Sequence, residues 1–355
     1  VPTSPLLFLL YPLEIIYRFG FALVTWYKRK RVYTRLFPFK IISVGNLSVG
    51  GTGKSVVVPF IARVLGVPHT AIVLRGYKGS LECRGLPTLV RDTKNIFIDV
   101  KASGDEAMMY AHVLPVPIVV CKNRARACRL LEHVSPVPDF VLLDDAYQNY
   151  GVKKDFEIVL VDARRPFENG HCLPAGRLRE KDYRRADCII ATHADAVSQM
   201  QRDAIKYELF SDIAPNRIFM GRHAFGGVYQ GNQMFLQPDS YIGSRALVCA
   251  SVGAFDGVLA SIARAGFIIG GTQQYRDHHA YTAADVASLM ALMHKHTCSC
   301  VVTTAKDWVK LEPLVQQYEE WQSLPIFVIR VDFEFLSTQE YDCFVALLRH
   351  KLRTT

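Results

Sequence analysis

The stretch IISVGNLSVGGTGKSVVVPF, residues 41–60, decides how the chain is read. It passes from a β-branched apolar run through a glycine cluster to Lys54-Ser55 and on into further apolar sequence. That is the strand–loop–helix order of a phosphate-binding loop. Gly50, Gly51 and Gly53 permit backbone angles that point successive N–H groups at phosphate oxygens. A helix N-terminus following them adds partial positive charge. Lys54 can reach the β- and γ-phosphates, and the Ser55 hydroxyl can ligate Mg2+. The usual pattern, glycine, any four residues, then Gly-Lys-Ser/Thr, would put its first glycine at position 48, where Ser48 stands. The cradle depends chiefly on the later glycines and Lys54, so Ser48 weakens the motif without cancelling it. Pro59 is discordant, because it removes a hydrogen bond early in the helix.

Outward from this segment, short β-rich runs alternate with helical patterns. Strands are expected at 40–44, 70–74, 117–121, 140–143, 156–161 and 188–191, with helices at 55–65, 105–113 and 125–133. Several strands are continuous apolar runs, such as FVLL and EIVLV, as expected for a parallel sheet covered on both faces. The fold class is α/β, a doubly wound parallel sheet of the P-loop NTPase kind. Near 217–230 (RIFMGRHAFGGVYQ) the rhythm changes to an extended, glycine-containing stretch. A second, smaller α/β series follows, with strands at 246–251, 267–270, 300–303 and 326–331, helices at 258–265 and 283–294, and a short terminal helix. The expected organisation is an N-terminal segment 1–34, a first domain 35–220 and a second domain 221–355.

Acids near the loop carry the next part of the reading. FVLLDDAYQN puts Asp144-Asp145 at the end of a buried apolar strand, where a nucleotide site holds its metal carboxylate. KASGDEAMMYA carries Asp105-Glu106 at a helix start, and Ser103 with Glu106 has the spacing of a capping box. QYRDHHAYTAAD sets Asp277 beside His278 and His279, which reads either as a proton-handling pair or as a surface loop. VLRGYKG puts Arg75 and Lys78 after the second strand, where ligands bind in such sheets, and LPAGRLRE adds Arg177 and Arg179. HKHTCSC has four metal-capable side chains, but not at the usual zinc spacing.

Composition narrows the class. Lys plus Arg number 42 against 33 Asp plus Glu, a net charge of +9, which favours an acidic partner. Nucleic acid is not expected, since no aromatic–basic recognition motif is present. The nine cysteines include no Cys-x-x-Cys and read as reduced thiols of a cytoplasmic protein. Residues 6–27 are apolar and aromatic but interrupted by Pro12, Glu14 and Arg18, and 28–31 are all basic. Glu14 and Arg18 can pair across one turn, while Leu13, Ile16, Phe19, Gly20, Leu23 and Tyr27 fall mostly on the other side. This pattern fits a helix lying in a membrane interface, or one packed on the protein's own core.

Taken in order, SVGNLSVGGTGKS, RGYKG, SGDEAMM, DDAYQN, EIVLVDARRPFENGHCLPAGRLRE, DHHAYT and TTAKDWVKL resemble the tetraacyldisaccharide 4′-kinase family, the lipid A kinases of Gram-negative bacteria. Ser48 fits, because that family has serine or threonine there. The resemblance implies two α/β domains joined by a short β linker. It implies transfer of the γ-phosphoryl of ATP, with Mg2+, to the 4′-hydroxyl of an acylated diglucosamine 1-phosphate. The site would be the cytoplasmic face of the bacterial inner membrane, with the N-terminal helix docked peripherally on its anionic surface. Carried over by motif, Ser48, Gly50, Gly51, Thr52, Gly53, Lys54, Ser55, Arg75 and Gln148 serve the nucleotide. Ser55, Asp144, Asp145 and Glu106 serve the metal. Asp105 becomes the base on the sugar hydroxyl, tuned by Asp277 and His278, with any capping left to Ser103 and Glu106. Lys78, Asn149 and the alanine of TTAKD depart from the family's usual residues, leaving roles near Asn149 and Lys306 open. A competing reading is a P-loop GTPase or metal-chaperone NTPase acting on a protein partner. ATHAD (191–195) is loosely like a guanine-reading Thr-Lys-x-Asp, with His193 in the lysine's place.

Overall fold

The computed structural model describes residues 6–30, 36–231, 234–253 and 255–352. The expected boundary at 34/35 and the basic residue Arg31 lie outside the described residues. The chain opens with α1 (Leu6–Lys30), then alternates β1 (Lys40–Asn46), α2 (Lys54–Leu65), β2 (Thr70–Leu74), β3 (Thr88–Arg91), α3 (Val100–Ser103), α4 (Asp105–Val113), β4 (Ile118–Val120), α5 (Arg124–Leu131), β5 (Phe140–Asp144), β6 (Phe156–Asp162), β7 (Cys188–Thr192) and α6 (Gln199–Ala204). The second series is β8 (Ile218–Gln230), β9 (Met234–Phe235), β10 (Arg245–Ala250), α7 (Phe255–Arg264), β11 (Ile268–Gln274), α8 (Ala283–Lys295), β12 (Cys300–Thr304), α9 (Ala305–Gln317), α10 (Glu319–Gln322), β13 (Ile326–Phe335) and α11 (Thr338–Leu352).

All strands join one sheet in the order β11-β10-β12-β13-β8-β7-β6-β1-β5-β2-β4-β3, with β9 beside β8. Pairing is parallel except at β3–β4, β8–β13 and β8–β9, so the α/β, largely parallel architecture expected from the apolar runs is present. Strand β1 sits between β5 and β6, in register Val44 to Asp144 and Val44 to Ile158. That placement brings the ends of the glycine loop's strand and the Asp144 strand together, at the edge where helices begin.

Strand β8 joins the two halves. Its first residues pair with β7 in parallel, and from Gly221 onward it pairs antiparallel with β13. The extended stretch expected at 217–230 is therefore a single 13-residue strand. The C-terminal helix is 15 residues rather than short. Its Phe344, Leu348 and Leu352 pack with Ile42, Val57, Ile61 and Met109 of the first half. The end of the chain thus closes the core that the N-terminal strands begin, although its sequence position lies in the segment 221–355. Phe60 of α2 meets Phe333 and Phe335 of β13 edge-on, at 5.0 and 5.5 Å between centroids. Pro59 does not end α2, which continues through it with Pro59 buried.

Helix α1 lies along the first half through polar contacts. Glu14 is buried and accepts from His171 Nδ1 and from the Cys172 amide, each at 2.9 Å. The expected Glu14–Arg18 pairing gives way to this inward contact, because a buried carboxylate needs donors close at hand. Tyr17 donates to the Arg179 carbonyl at 3.1 Å. The opposite side exposes Leu13, Ile16, Phe19, Leu23 and Trp26. Among the described residues, no helix is long and apolar enough to cross a membrane.

Candidate active site

The glycine loop runs from β1 into α2 with Gly50 at φ 131° and Gly53 at φ 81°. Gly53 is the N-cap of α2. A Cβ there would face a left-handed backbone penalty and would lie 2.5 Å from His223 Nε2. At Gly50 an added Cβ would run into the Arg177 guanidinium, whose Nε donates to the Val49 carbonyl at 3.1 Å. Ser48 and Thr52 are buried, and the Thr192 hydroxyl at the end of β7 donates to the Thr52 carbonyl at 3.2 Å. The loop's shape is thus held by neighbouring strands, while Gly51, with open space around it, faces outward.

Lys54 and Ser55 begin α2. Lys54 Nζ lies 3.4 Å from Asp145 Oδ1. Asp145 also accepts from Arg179 Nη1 through both oxygens at 3.1 Å. The same Arg179 nitrogen reaches Gln148 Oε1 at 3.3 Å, and Gln148 Nε2 donates to the Asn46 carbonyl at 2.9 Å. Burial opposes ionisation of Asp145, but Lys54 and Arg179 hold its carboxyl below the usual range. Asp144 is more deeply placed. Tyr110 donates to its Oδ2 at 3.1 Å, while Oδ1 is buried without a hydrogen-bond partner. Burial pushes the Asp144 carboxyl up, Lys54 opposes the rise and Asp145 adds to it.

Asp105 and Glu106 open α4. The Ser103–Glu106 capping box does not form. Gly104, at φ 88°, is the N-cap of α4, and the Ser103 hydroxyl donates to the Asp99 carbonyl at 2.7 Å. Asp99, not Ser103, caps the preceding turn α3. The two acids are therefore left for other partners. Burial, with Asp144 nearby, raises the Glu106 carboxyl to about 7, opposed by Lys54 and Lys306. Glu106 so links the glycine-loop acids to residues of the second half.

Those residues arrive through α9, which packs on α4, and through the turn after β11. His278 Nδ1 donates to Asp105 Oδ2 at 2.9 Å. Lys306 donates to Asp277 at 3.2 Å and to His278 Nε2 at 3.4 Å, which assigns the imidazole proton to Nδ1. Asp277 itself is half-exposed. Lys310, one helical turn on, lies 4.0 Å from Asp105 Oδ2 and is anchored by Asp307 at 3.1 Å and the Ser251 hydroxyl at 2.8 Å. Asp307 is fully buried and also accepts from the Thr304 hydroxyl and from the amide and hydroxyl of Ser251.

The structure thus brings together Lys54, Ser55, Asp144, Asp145, Glu106, Asp105 and His278 at one sheet edge, with Gln148 at its margin. Arg75 stands apart, paired with Glu82 at 2.6 Å and half-exposed. His279 turns away to Asp285 at 3.2 Å. Tyr110, Arg124, Lys310, Asp307 and Ser251 were not marked by sequence. For Lys310 a signal existed, since Lys306 and Lys310 stand four apart and share a helix face, but helix α9 was not foreseen. His193 pairs with Asp162 at 3.4 Å and lies 4.2 Å from the His223 ring.

Chemically, the edge holds three carboxylates and a hydroxyl facing one lysine, with an unpaired buried carboxylate oxygen. The set is rich in carboxylate oxygen, although among the described residues no three His, Cys, Asp or Glu side chains converge closely enough to hold a metal ion by themselves. Beside it stands an acid held by a histidine, the arrangement of a general base.

Comparison with known proteins gives the family. The family model "Tetraacyldisaccharide-1-P 4'-kinase" matches residues 6–352. A tetraacyldisaccharide 4′-kinase of Pelobacter propionicus is 32% identical over 326 residues, covering 90% of this chain and 87% of that protein. One from Chlorobaculum parvum is 33% identical over 317 residues, covering 85% of this chain and 83% of that protein. In fold, the chain is similar to the crystal structure of the "apo" form of LpxK from Aquifex aeolicus in complex with ATP, with TM-score 0.76 and 22% identity over 98% of this chain and all of that one. With a family model spanning nearly its whole length and relatives above 30% identity over most of it, the chain belongs to the tetraacyldisaccharide-1-P 4′-kinase family.

Proposed function

We propose that this protein is a lipid kinase that moves the γ-phosphoryl group of ATP to the 4′-hydroxyl of a tetraacyl diglucosamine 1-phosphate. The observation that carries the reading is the Asp105–His278 contact, made beside the loop that presents Lys54 and Ser55 and beside the Asp144–Asp145 pair. Phosphoryl transfer needs alignment and charge neutralisation more than covalent help, and this edge offers both.

In this reading the loop from Ser48 to Gly53 and the start of α2 cradle the nucleotide phosphates, with Lys54 on the β- and γ-oxygens. Ser55, Asp144, Asp145 and Glu106 would hold Mg2+, which when bound neutralises phosphate charge and fixes its orientation. The buried, partnerless Oδ1 of Asp144 and the raised carboxyl of Glu106 support that assignment. Asp105 accepts the proton of the sugar hydroxyl as the oxygen attacks. His278 Nδ1–H holds one Asp105 oxygen and leaves the other for the acceptor. Lys306 keeps the imidazole in that tautomer, and Lys310 ties the carboxylate to the second half. Arg179 and Gln148 brace the loop after β5. Arg75, already paired with Glu82, reaches phosphate only by exchanging partners.

Helix α1 supplies the surface. Its exposed apolar face and the cations Lys28, Arg29 and Lys30 suit the interface of an anionic bilayer. We place the enzyme peripherally on the cytoplasmic face of the bacterial inner membrane, where ATP and a membrane-held acceptor meet. Incubating the protein with labelled ATP, Mg2+ and the disaccharide 1-phosphate in detergent micelles should give a labelled lipid. No labelled lipid would overturn the reading.

A further inference from the structure

At the N-terminal ends of β1, β5 and β6, opposite the glycine loop, lies a cavity of about 670 Å3 between the end of α2 and the last turns of α11. The seven residues of β1 put it roughly 20 Å from the loop, at about 3.3 Å per residue. None of the catalytic residues lines it. Its walls are apolar. Phe39, Leu348 and Leu352 are buried, Leu65 is half-buried, and the rings of Phe37 and Phe39 stack with centroids 5.3 Å apart and planes 13° from parallel. A hollow of this size takes one small organic molecule.

The charged side chains along it are Lys40, Lys153, Arg349, Asp139 and Asp155. Both acids are already engaged. Asp139 pairs with His69 at 2.6 Å, and Asp155 accepts from the Ile41 amide at 2.8 Å and lies 3.8 Å from Lys40 Nζ. Lys153 and Arg349 are exposed, and among the described residues neither has a hydrogen bond or an ion pair. Unpaired cations beside an apolar hollow attract an anion. The planar guanidinium of Arg349 matches the two oxygens of a carboxylate.

An amphipathic anion meets both features at once. We propose that this cavity is a binding site for a long-chain carboxylate, with its aliphatic chain between α2 and α11 and its head held by Lys153 and Arg349. The volume suits one chain rather than the paired chains of a bilayer lipid. The site goes beyond the kinase reading and does not rest on it. Its wall is continuous with the core under the glycine loop, because Leu348 and Leu352 pack with Val57 and Ile61 of α2. A bound chain therefore lies against the far end of the helix that Lys54 and Ser55 begin.

The test titrates octanoate, decanoate and dodecanoate into the full chain by calorimetry, below the concentrations at which they form micelles. Wild type should bind dodecanoate saturably and one to one, with affinity rising roughly twofold to fourfold per methylene along the series. Dodecanol, which lacks the charge, should bind at least about tenfold more weakly. Lys153→Ala/Arg349→Ala should lose about tenfold or more for dodecanoate. Both substituted side chains are exposed, so its folding and ATP binding should match wild type. Phe19→Ser/Leu23→Ser/Trp26→Ser, on the exposed face of α1, should bind dodecanoate as wild type does. Binding of many equivalents, equal affinity for dodecanol, an undiminished charge variant or a deficient α1 variant overturns the site. A bilayer lipid is the rival occupant. If wild type takes up no dodecanoate, the proposal fails, and loss of flotation by the charge variant with vesicles of phosphatidylcholine and phosphatidylglycerol would then assign the cavity to a membrane lipid.

Discussion

His278 Nδ1 lies 2.9 Å from Asp105 Oδ2, although 173 positions separate the two residues in the chain. One comes from the start of α4 in the first half, the other from a turn of the second. Their contact exists only when the halves are docked, so loss of either side chain should impair turnover more than nucleotide binding. Asp105→Asn is expected to lower kcat by roughly 10²–10⁴-fold, the usual worth of a general base. His278→Ala should cost less, since it only orients the acid. Turnover rates alongside ATP titration by calorimetry check this. Asp105→Asn turning over within about tenfold of wild type would remove the base assignment.

Glu106 gives a pH signature. Its folded carboxyl is raised to about 7 against an ordinary 4.5, so only the folded state carries the proton between those values. Stability from this group is therefore fully present below about 4.5 and is lost as pH rises through about 7. Glu106→Gln cannot ionise. Between about pH 5 and about pH 8 it should lose less stability than wild type, by on the order of 2–3 kcal/mol. Urea denaturation at the two pH values, without divalent cation, measures the difference. Parallel pH dependence of the two proteins would contradict it.

Asp307 is the buried anchor of Lys310 and is fully enclosed. Lys310→Met leaves that carboxylate without its cation, a change that typically costs about 3–5 kcal/mol. Lys310→Arg should recover part of the stability, and Lys310→Met/Asp307→Asn should be milder than the single methionine variant. Chemical denaturation of the three proteins tests the ordering. A methionine variant within about 1 kcal/mol of wild type would show that Lys310 carries little of the pair's charge balance.

The exposed face of α1 makes a prediction about surfaces. Phe19→Ser/Leu23→Ser/Trp26→Ser removes three exposed apolar side chains without touching Glu14 or Tyr17, which hold the helix on the protein. Folding stability should stay close to wild type. Flotation with vesicles containing anionic lipid should lose the bound fraction, since each apolar side chain is worth about 1.5–3 kcal/mol when buried. Unaltered flotation would assign the membrane contact to another face.

Residues 41–60, the apolar runs of β5 and β6 and the acids after β5 determined by themselves that this is an α/β protein with a nucleotide-type loop beside paired carboxylates. Such features are local, because glycine freedom, continuous apolarity and acids at strand ends follow from neighbouring residues. The ordered set of motifs also determined the family. The tertiary structure decided what distance along the chain conceals. It turned Glu14 toward His171, gave the cap of α4 to Gly104, and brought α11 back onto the first core. It also chose His278 over His279, and it brought Lys310 to Asp105 and Lys306 to Asp277 and His278 along a helix the sequence pattern did not reveal. Partners like these are set by packing of the two halves through β8 and β13, and contacts between distant segments leave no periodicity in the residues that make them.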